Sequence, residues 1–235
     1  MKIIRLTTFL DFGGIESKMA NLSSYTDDNE WLFCSIGKGG FAANKIAQNK
    51  KEVFSFNADH RIPSFNTIIK LYFYFKKQNP QVVHTAGSEA NFHGVIAAKL
   101  AKVPVIIAEE IGIPSHGKIA KFIFSFIYKL ADFVIGESQG VIDNLKNNYT
   151  INENKLTVIA NFTLFEPSEN NSFTNNNNAF KIVSVSRLEP VKNIEGIIRV
   201  VQKLKQDNIK IKYTIVGEGS SRTVLHDIVK KLDLE

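Results

Sequence analysis

Arg187 and Lys192 stand five residues apart late in the chain, with Pro190 between them. They follow an alternating apolar run that begins at Phe180 and precede a segment of helical period, residues 193–208. A second apolar run, 211–217, ends in Gly217-Glu218-Gly219. Cations and glycines thus fall where two successive strands give way to helices, the edge at which open parallel sheets hold ligands. Fixed positive charge there suits an anion, with phosphate the foremost candidate. Near the other end, Gly13 and Gly14 follow the first apolar run and open another helical segment. Two readings fit this pair: a loop that brings backbone N–H groups up to an anion, or a tight strand-to-helix turn.

Other reactive side chains form weaker patterns. His84 and His93 flank one strand and its helix, but without a third partner they do not make a metal site. His60 and His116 belong to loops, and no Ser-His-Asp order emerges. Cys34 is alone, which excludes a disulfide framework and a cysteine metal cluster; within WLFCSI it reads as a small buried apolar residue. Cysteine usage of this kind fits a reducing, cytosolic setting.

The elements that must position these residues alternate along the chain. Strands are expected at 2–10, 31–37, 52–57, 81–87, 104–110, 132–138 and 155–161, with helices at 16–25, 41–48, 64–78, 88–102, 118–131 and 141–149 between or after them. Ser88 is the expected cap of the fourth helix. Near-continuous apolar strands alternating with helices imply a parallel sheet covered on both faces. In 118–131, residues Ile119, Phe122, Ile123, Phe126, Ile127 and Leu130 share one helical stripe, expected to face the core. Lys118, Lys121, Ser125 and Lys129 form a second stripe, with Phe124 and Tyr128 between the two. Two readings fit: a wide buried face with a solvated lysine edge, or a surface on which the lysines, Phe124 and Tyr128 meet an anionic membrane.

The stretch SENNSFTNNNN is polar and of low complexity, so the domain linker is expected at 167–178, between a domain at 1–166 and a second at 179–235. Two strand–helix units make too small a sheet to bury its own core well, so the second domain is expected to be incomplete. The net charge of +6 and pI near 9.2 favour anionic partners in general. No RNA or DNA motif accompanies the charge, and nucleic acid is not an expected partner. No apolar run reaches the length of a membrane span.

These residues resemble a known family. SVSRLEPVKNIEGIIRVVQKL followed by IVGEGSSRTVL is similar to the start of the carboxyl-terminal domain of the family 4 (group 1) glycosyltransferases. FGGIE resembles that family's glycine loop after the first strand, ADFVIGESQGVIDNL its AD-x-V-x-x-x-S segment, and LTVIANFTLF its exit from the first domain, with Phe162 where glycine is usual. The resemblance implies an α/β fold of GT-B type: a Rossmann-like, acceptor-side amino-terminal domain facing an incomplete, nucleotide-sugar-binding second one. It implies a retaining transferase that moves a sugar from a nucleotide-diphosphate donor to a glycan or lipid-linked acceptor, in cell-surface polysaccharide synthesis, with no metal or cofactor. Arg187 and Lys192 would bind the donor diphosphate with Gly13 and Gly14, while Gly217 and Gly219 would shape the nucleotide loop. Where many members carry a histidine at the end of the fifth strand, Glu109 or Glu110 stands here, either accepting a hydrogen bond from a sugar hydroxyl or ending the strand in solvent. The family's spaced glutamate pair, which holds donor sugar and ribose, would lie beyond Glu235. That leaves a second function open, a non-catalytic relative that binds an acceptor or partner. The expected location is cytoplasmic, with peripheral attachment to the inner face of the plasma membrane.

Overall fold

A computed structural model describes residues 1–25, 27–162 and 180–234. The chain divides into two compact units, Met1–Glu166 and Pro167–Glu235. The expected linker at 167–178 lies outside the described residues.

The first unit is built on seven parallel strands: β1 (Lys2–Thr7), β2 (Glu30–Ser35), β3 (Glu52–Ser55), β4 (Val82–Ala86), β5 (Val105–Glu110), β6 (Phe133–Gly136) and β7 (Leu156–Val158). Their order is β3-β2-β1-β4-β5-β6-β7. The helices are α1 (Gly14–Ser23), α2 (Phe41–Gln48), α3 (Phe65–Gln78), α4 (Ser88–Ala101), α5 (Lys118–Leu130) and α6 (Gln139–Asn148). Right-handed crossovers dictate where these go. The chain steps one way from β1 to β3, which sends α1 and α2 to one face. It then returns through β4 to β7, which sends α3 to α6 to the other. Packing follows suit: α1 lies against α2, and α4 lies between α3 and α5.

Alternation along the strands feeds a separate core on each face. Ile4, Leu6, Leu32, Cys34, Val83, Ile106 and Ala108 pack under α3–α6. Phe33 packs with Met19, Ala20, Ala42 and Ile46 of α1 and α2. The sheet reverses direction between β1 and β4, whose carboxyl ends open at Thr7 and Ala86 beside the start of α1. That switch point is where this class of sheet binds ligands.

The second unit pairs β8 (Phe180–Val185) in parallel with β9 (Ile211–Val216), with α7 (Ile194–Gln206) and α8 (Arg222–Lys231). Its core is small: Leu188, Ile194, Ile198 and Leu225, with Tyr213 and Ile215 packed against them.

Two local expectations change. Ser88 does not cap α4; Gly87 precedes the helix with φ of 90°, and no side chain caps it. Helix α5 is turned differently from its expected orientation. Ile119, Phe122 and Phe126 are 79%, 80% and 58% exposed, and Ile123 is also exposed. The face toward the core joins Ile127 of the expected stripe, with Leu130 packed at its edge, to Phe124 and Tyr128. A polar bond explains the choice: the Tyr128 hydroxyl donates to Glu110 Oε1 at 2.7 Å, deep under the helix. The apolar arc of α5 is wider than the face it can bury, so a buried carboxyl that needs a donor favours the rotation that brings Tyr128 inward.

Candidate functional site

In the second unit, β8 and β9 end in two loops joined by backbone. Leu188 N donates to Glu218 O at 2.8 Å, and Ser221 N donates to Leu188 O at 2.9 Å. The glycines permit this approach. A Cβ on Gly217, where φ is 152°, would lie 1.8 Å from the Ser186 carbonyl oxygen; one on Gly219 would lie 2.4 Å from that of Leu188. Gly217 and Gly219 therefore lock the second loop against the segment that carries Arg187. Glu189 accepts from Ser220 Oγ at 2.8 Å and from Ser220 N at 3.3 Å, a further tie. Its carboxyl is held below the ordinary range by those Ser220 bonds, with help from the Arg187 charge.

Arg187 and Lys192 are exposed, and neither makes an ion pair among the described residues. Lys192 closes a 3-10 turn, Pro190–Lys192, and Asn193 in the left-handed region (φ 49°) starts α7. A cavity of about 380 Å³ opens at the amino-terminal ends of α7 and α8, lined in part by Glu189, Asn193, Glu195, Ser220 and Ser221. Neither cation lines this cavity; both stand on the exposed loop between β8 and α7.

In the first unit, Gly13 and Gly14 stand at the switch point. A Cβ on Gly14 would meet nothing within 4 Å, so bare backbone is open there; one on Gly13 would lie 2.1 Å from a Glu16 carboxylate oxygen.

Glu109 and Glu110 end β5 on opposite faces, and both are only 2% exposed. Neither is a solvated strand end. Glu109 Oε2 pairs with Arg5 Nη2 at 3.0 Å and lies 3.1 Å from His84 Nε2, while Oε1 receives Lys18 Nζ from α1. Lys18 also reaches Glu137 Oε1 at 3.3 Å, and Asn161 Nδ2 donates to Glu137 Oε2 at 2.7 Å. Burial pushes the Glu109 carboxyl up, but His84, Arg5 and Lys18 together hold it well below the usual range. Burial and the Arg5 charge lower His84 to about 4, so its imidazole is neutral near pH 7. Glu110 Oε1 accepts from Asn91 Nδ2 at 2.7 Å as well as from Tyr128. Burial dominates there and raises its carboxyl to about 7.

The remaining expectations resolve simply. His93 lies in α4 beneath the opposite face from His84, with Nδ1 2.7 Å from the Glu89 carbonyl and Nε2 accepting from Ser64 N at 3.2 Å. Both ring nitrogens are engaged locally, and the two histidines form no pair. Cys34 is buried, and burial raises its thiol to about 12, which suits a packing role. Among the described residues no group of three or more His, Cys, Asp or Glu could hold a metal. The Arg5–Lys18–Glu109–Glu137 cluster is what the sequence reading missed. Its one signal was a charge, Arg5, inside an otherwise apolar strand, because such a charge must find a partner.

Comparison with known proteins agrees with this architecture. A seven-stranded Rossmann-like unit followed by two strand–helix pairs of a second one fits the GT-B class. The family model described as Glycosyltransferase Family 4 matches residues 12–163, and that described as Glycosyl transferases group 1 matches 166–235. The chain belongs to glycosyltransferase family 4. It is 31% identical over 118 residues to N-acetylgalactosamine-N,N'-diacetylbacillosaminyl-diphospho-undecaprenol 4-alpha-N-acetylgalactosaminyltransferase of Campylobacter jejuni, a match covering 50% of this chain and 32% of that protein. Among solved structures, Anabaena Alr3699/HepE in complex with UDP superposes with a TM-score of 0.78 at 19% identity, covering 100% of this chain and 67% of that one. A glycosyltransferase from Rickettsia africae gives a TM-score of 0.71 at 19% identity, covering 99% of this chain and 65% of that one. The chain thus spans about a third of the curated relative and about two thirds of these structures.

Proposed function

We propose that this chain provides the acceptor-side domain and the diphosphate loop of a retaining glycosyltransferase, which moves a sugar from a nucleotide-diphosphate donor to a lipid-linked glycan acceptor in surface-polysaccharide synthesis. The observation that carries this reading is the pair of uncommitted cations, Arg187 and Lys192, on a loop locked by Gly217 and Gly219. Departure of the nucleotide leaves negative charge on the diphosphate, and two fixed cations stabilise it without a metal. Gly13 and Gly14 supply open backbone for the donor's phosphates or sugar. The Campylobacter relative's name places its acceptor on diphospho-undecaprenol, which supports a lipid-linked acceptor here. The non-catalytic reading is the less favoured one, because the curated relative is named as a transferase. Glu109 and Glu110 take positioning roles in this proposal. Glu109 fixes Lys18 and Arg5 beside the switch point, and Glu110 fixes the seating of α5.

The test is transfer from a UDP-α-sugar to a diphospho-undecaprenol-linked glycan, with the new linkage read by NMR. An α-linked product formed equally well in EDTA is expected. A β-linked product would overturn retention, and loss of activity in EDTA restored by a divalent cation would overturn the metal-free step.

Attachment to an anionic membrane belongs to the same proposal, through a corrected surface. Phe124 and Tyr128 are buried and unavailable. The exposed stripe Ile119, Phe122, Ile123 and Phe126, flanked by Lys118 and Lys129, has the apolar body and basic margin of an interfacial helix. On the same face of the sheet, α3 exposes Phe65, Ile69 and Phe73 among Lys70, Lys76 and Lys77. Among the described residues no helix is long and apolar enough to cross a membrane.

A further inference from the structure

At the carboxyl edge of the first unit, outside the groups used so far, Phe12 and Phe41 stack on each other with ring centroids 5.0 Å apart and planes 15° from parallel. They are 77% and 58% exposed. One comes from the loop after β1, the other from the first residue of α2, and the two loops are joined by backbone. Phe41 N donates to Asp11 Oδ1 at 3.0 Å, Ala42 N to Asp11 O at 3.2 Å, and Leu10 N to Lys38 O at 3.2 Å. Gly40 is required for this closeness, since a Cβ there would lie 2.1 Å from Asp11 Oδ1. Leu10, fully buried, anchors the loop from below. The rings are therefore held in place while their outer faces stay in solvent. Two large apolar side chains fixed in this way at a ligand edge indicate a partner.

We infer that the Phe12–Phe41 pair is a stacking platform for a neutral pyranose ring, the terminal sugar of the acceptor. An aromatic face carries negative quadrupole density, and the C–H bonds on one side of a pyranose present the complementary positive edge. A neighbouring side chain suits hydroxyl groups: the exposed Asp11 carboxylate, whose Oδ1 accepts from Phe41 N, can accept further hydrogen bonds from a sugar. The Asp11 carboxylate beside Phe41 disfavours an anionic headgroup at the rings, which separates this patch from the lysine-flanked stripe of α5. The position also fits, because the platform adjoins the Gly13–Gly14 loop, to which the proposed function assigns the donor. This assignment rests on the transferase reading for the word acceptor, but not for the stacking itself.

The test uses the full chain with ring-labelled phenylalanine, observed by NMR. Methyl α-galactopyranoside and methyl N-acetyl-α-galactosaminide are titrated, with glycerol, UDP and phosphatidylglycerol vesicles as the comparison arms. Shifts of two ring signals with the pyranosides, absent with glycerol and UDP and lost in F12A and F41A, are expected. No shift with either pyranoside, or equal shifts with glycerol, overturns the platform. Shifts caused only by UDP or only by vesicles reassign the pair to donor or lipid and overturn it equally. In a transfer assay, F12A should raise the acceptor KM about tenfold and leave the donor KM unchanged; a rise in donor KM alone contradicts the inference. If transfer itself fails, the ring shifts still stand or fall on their own.

Discussion

Alternation along β5 sends Glu109 and Glu110 to opposite faces of the sheet, and their protons respond in opposite ways. Glu109 is ionised among Arg5, Lys18 and His84, all held in a buried setting. Removing its charge leaves Arg5 buried without a counter-ion, so Glu109→Gln is expected to cost about 3–5 kcal/mol in denaturant unfolding. Glu110, raised from an ordinary 4.5 to about 7, binds its proton more tightly in the folded state. Its contribution is therefore full below about pH 4.5 and is lost as pH rises through 7, an effect on the order of 3 kcal/mol. Glu109 and His84 act in the reverse sense: both pKa values are depressed on folding, so their contributions fade as pH drops. Glu110→Gln keeps an oxygen for Asn91 and Tyr128 and carries no charge. Between pH 5 and 8 it should show a smaller fall in stability than the parent, measured as urea midpoints. An equal fall in both would show that Glu110 is not the group responsible.

At the scale of elements, α5 decides more than its length suggests. Truncating its inward aromatic, Phe124→Ala, should cost about 3–5 kcal/mol. Replacing Phe122 and Phe126 by serine should barely change stability and should abolish co-sedimentation with anionic vesicles. Equal pelleting of parent and variant would remove this surface from the account. The same helix shows what was legible from residues alone. Strands β1 to β9 were readable because buried parallel strands are continuous apolar runs; Gly217 marks the end of β9, whereas β1 stops at Thr7, short of the expected 2–10, and Gly13-Gly14 marks the start of α1. The facing of α5 was not readable, since its apolar arc is wider than the face that packs on the core. What oriented it is a hydrogen bond between Tyr128 and Glu110, supplied by another element. The Arg5–Glu109 pair was hidden for a related reason: it joins residues 104 positions apart, and no local pattern encodes that separation. The placement of Arg187 and Lys192 on one loop was legible because that relation is local, a short connection between one strand and one helix.

For the molecule as a whole, the proposed function assigns one part of the chemistry to each unit. The first supplies a seven-stranded sheet with an open backbone at its switch point and an aromatic pair nearby. The second supplies two cations on a loop whose shape depends on glycine. Gly219→Ala would force the Leu188 backbone aside. It should destabilise the second unit and weaken nucleotide binding together, whereas loss of Arg187 and Lys192 should affect binding alone. That difference leads to the most direct measurement: calorimetric titration of UDP into the full chain and into the R187A/K192A double variant, with thermal unfolding of both. The account predicts saturable UDP binding in the parent, weakened at least about a hundredfold in the variant, with the unfolding temperature unchanged. UDP binding of equal strength in both proteins, or none in the parent, would contradict it.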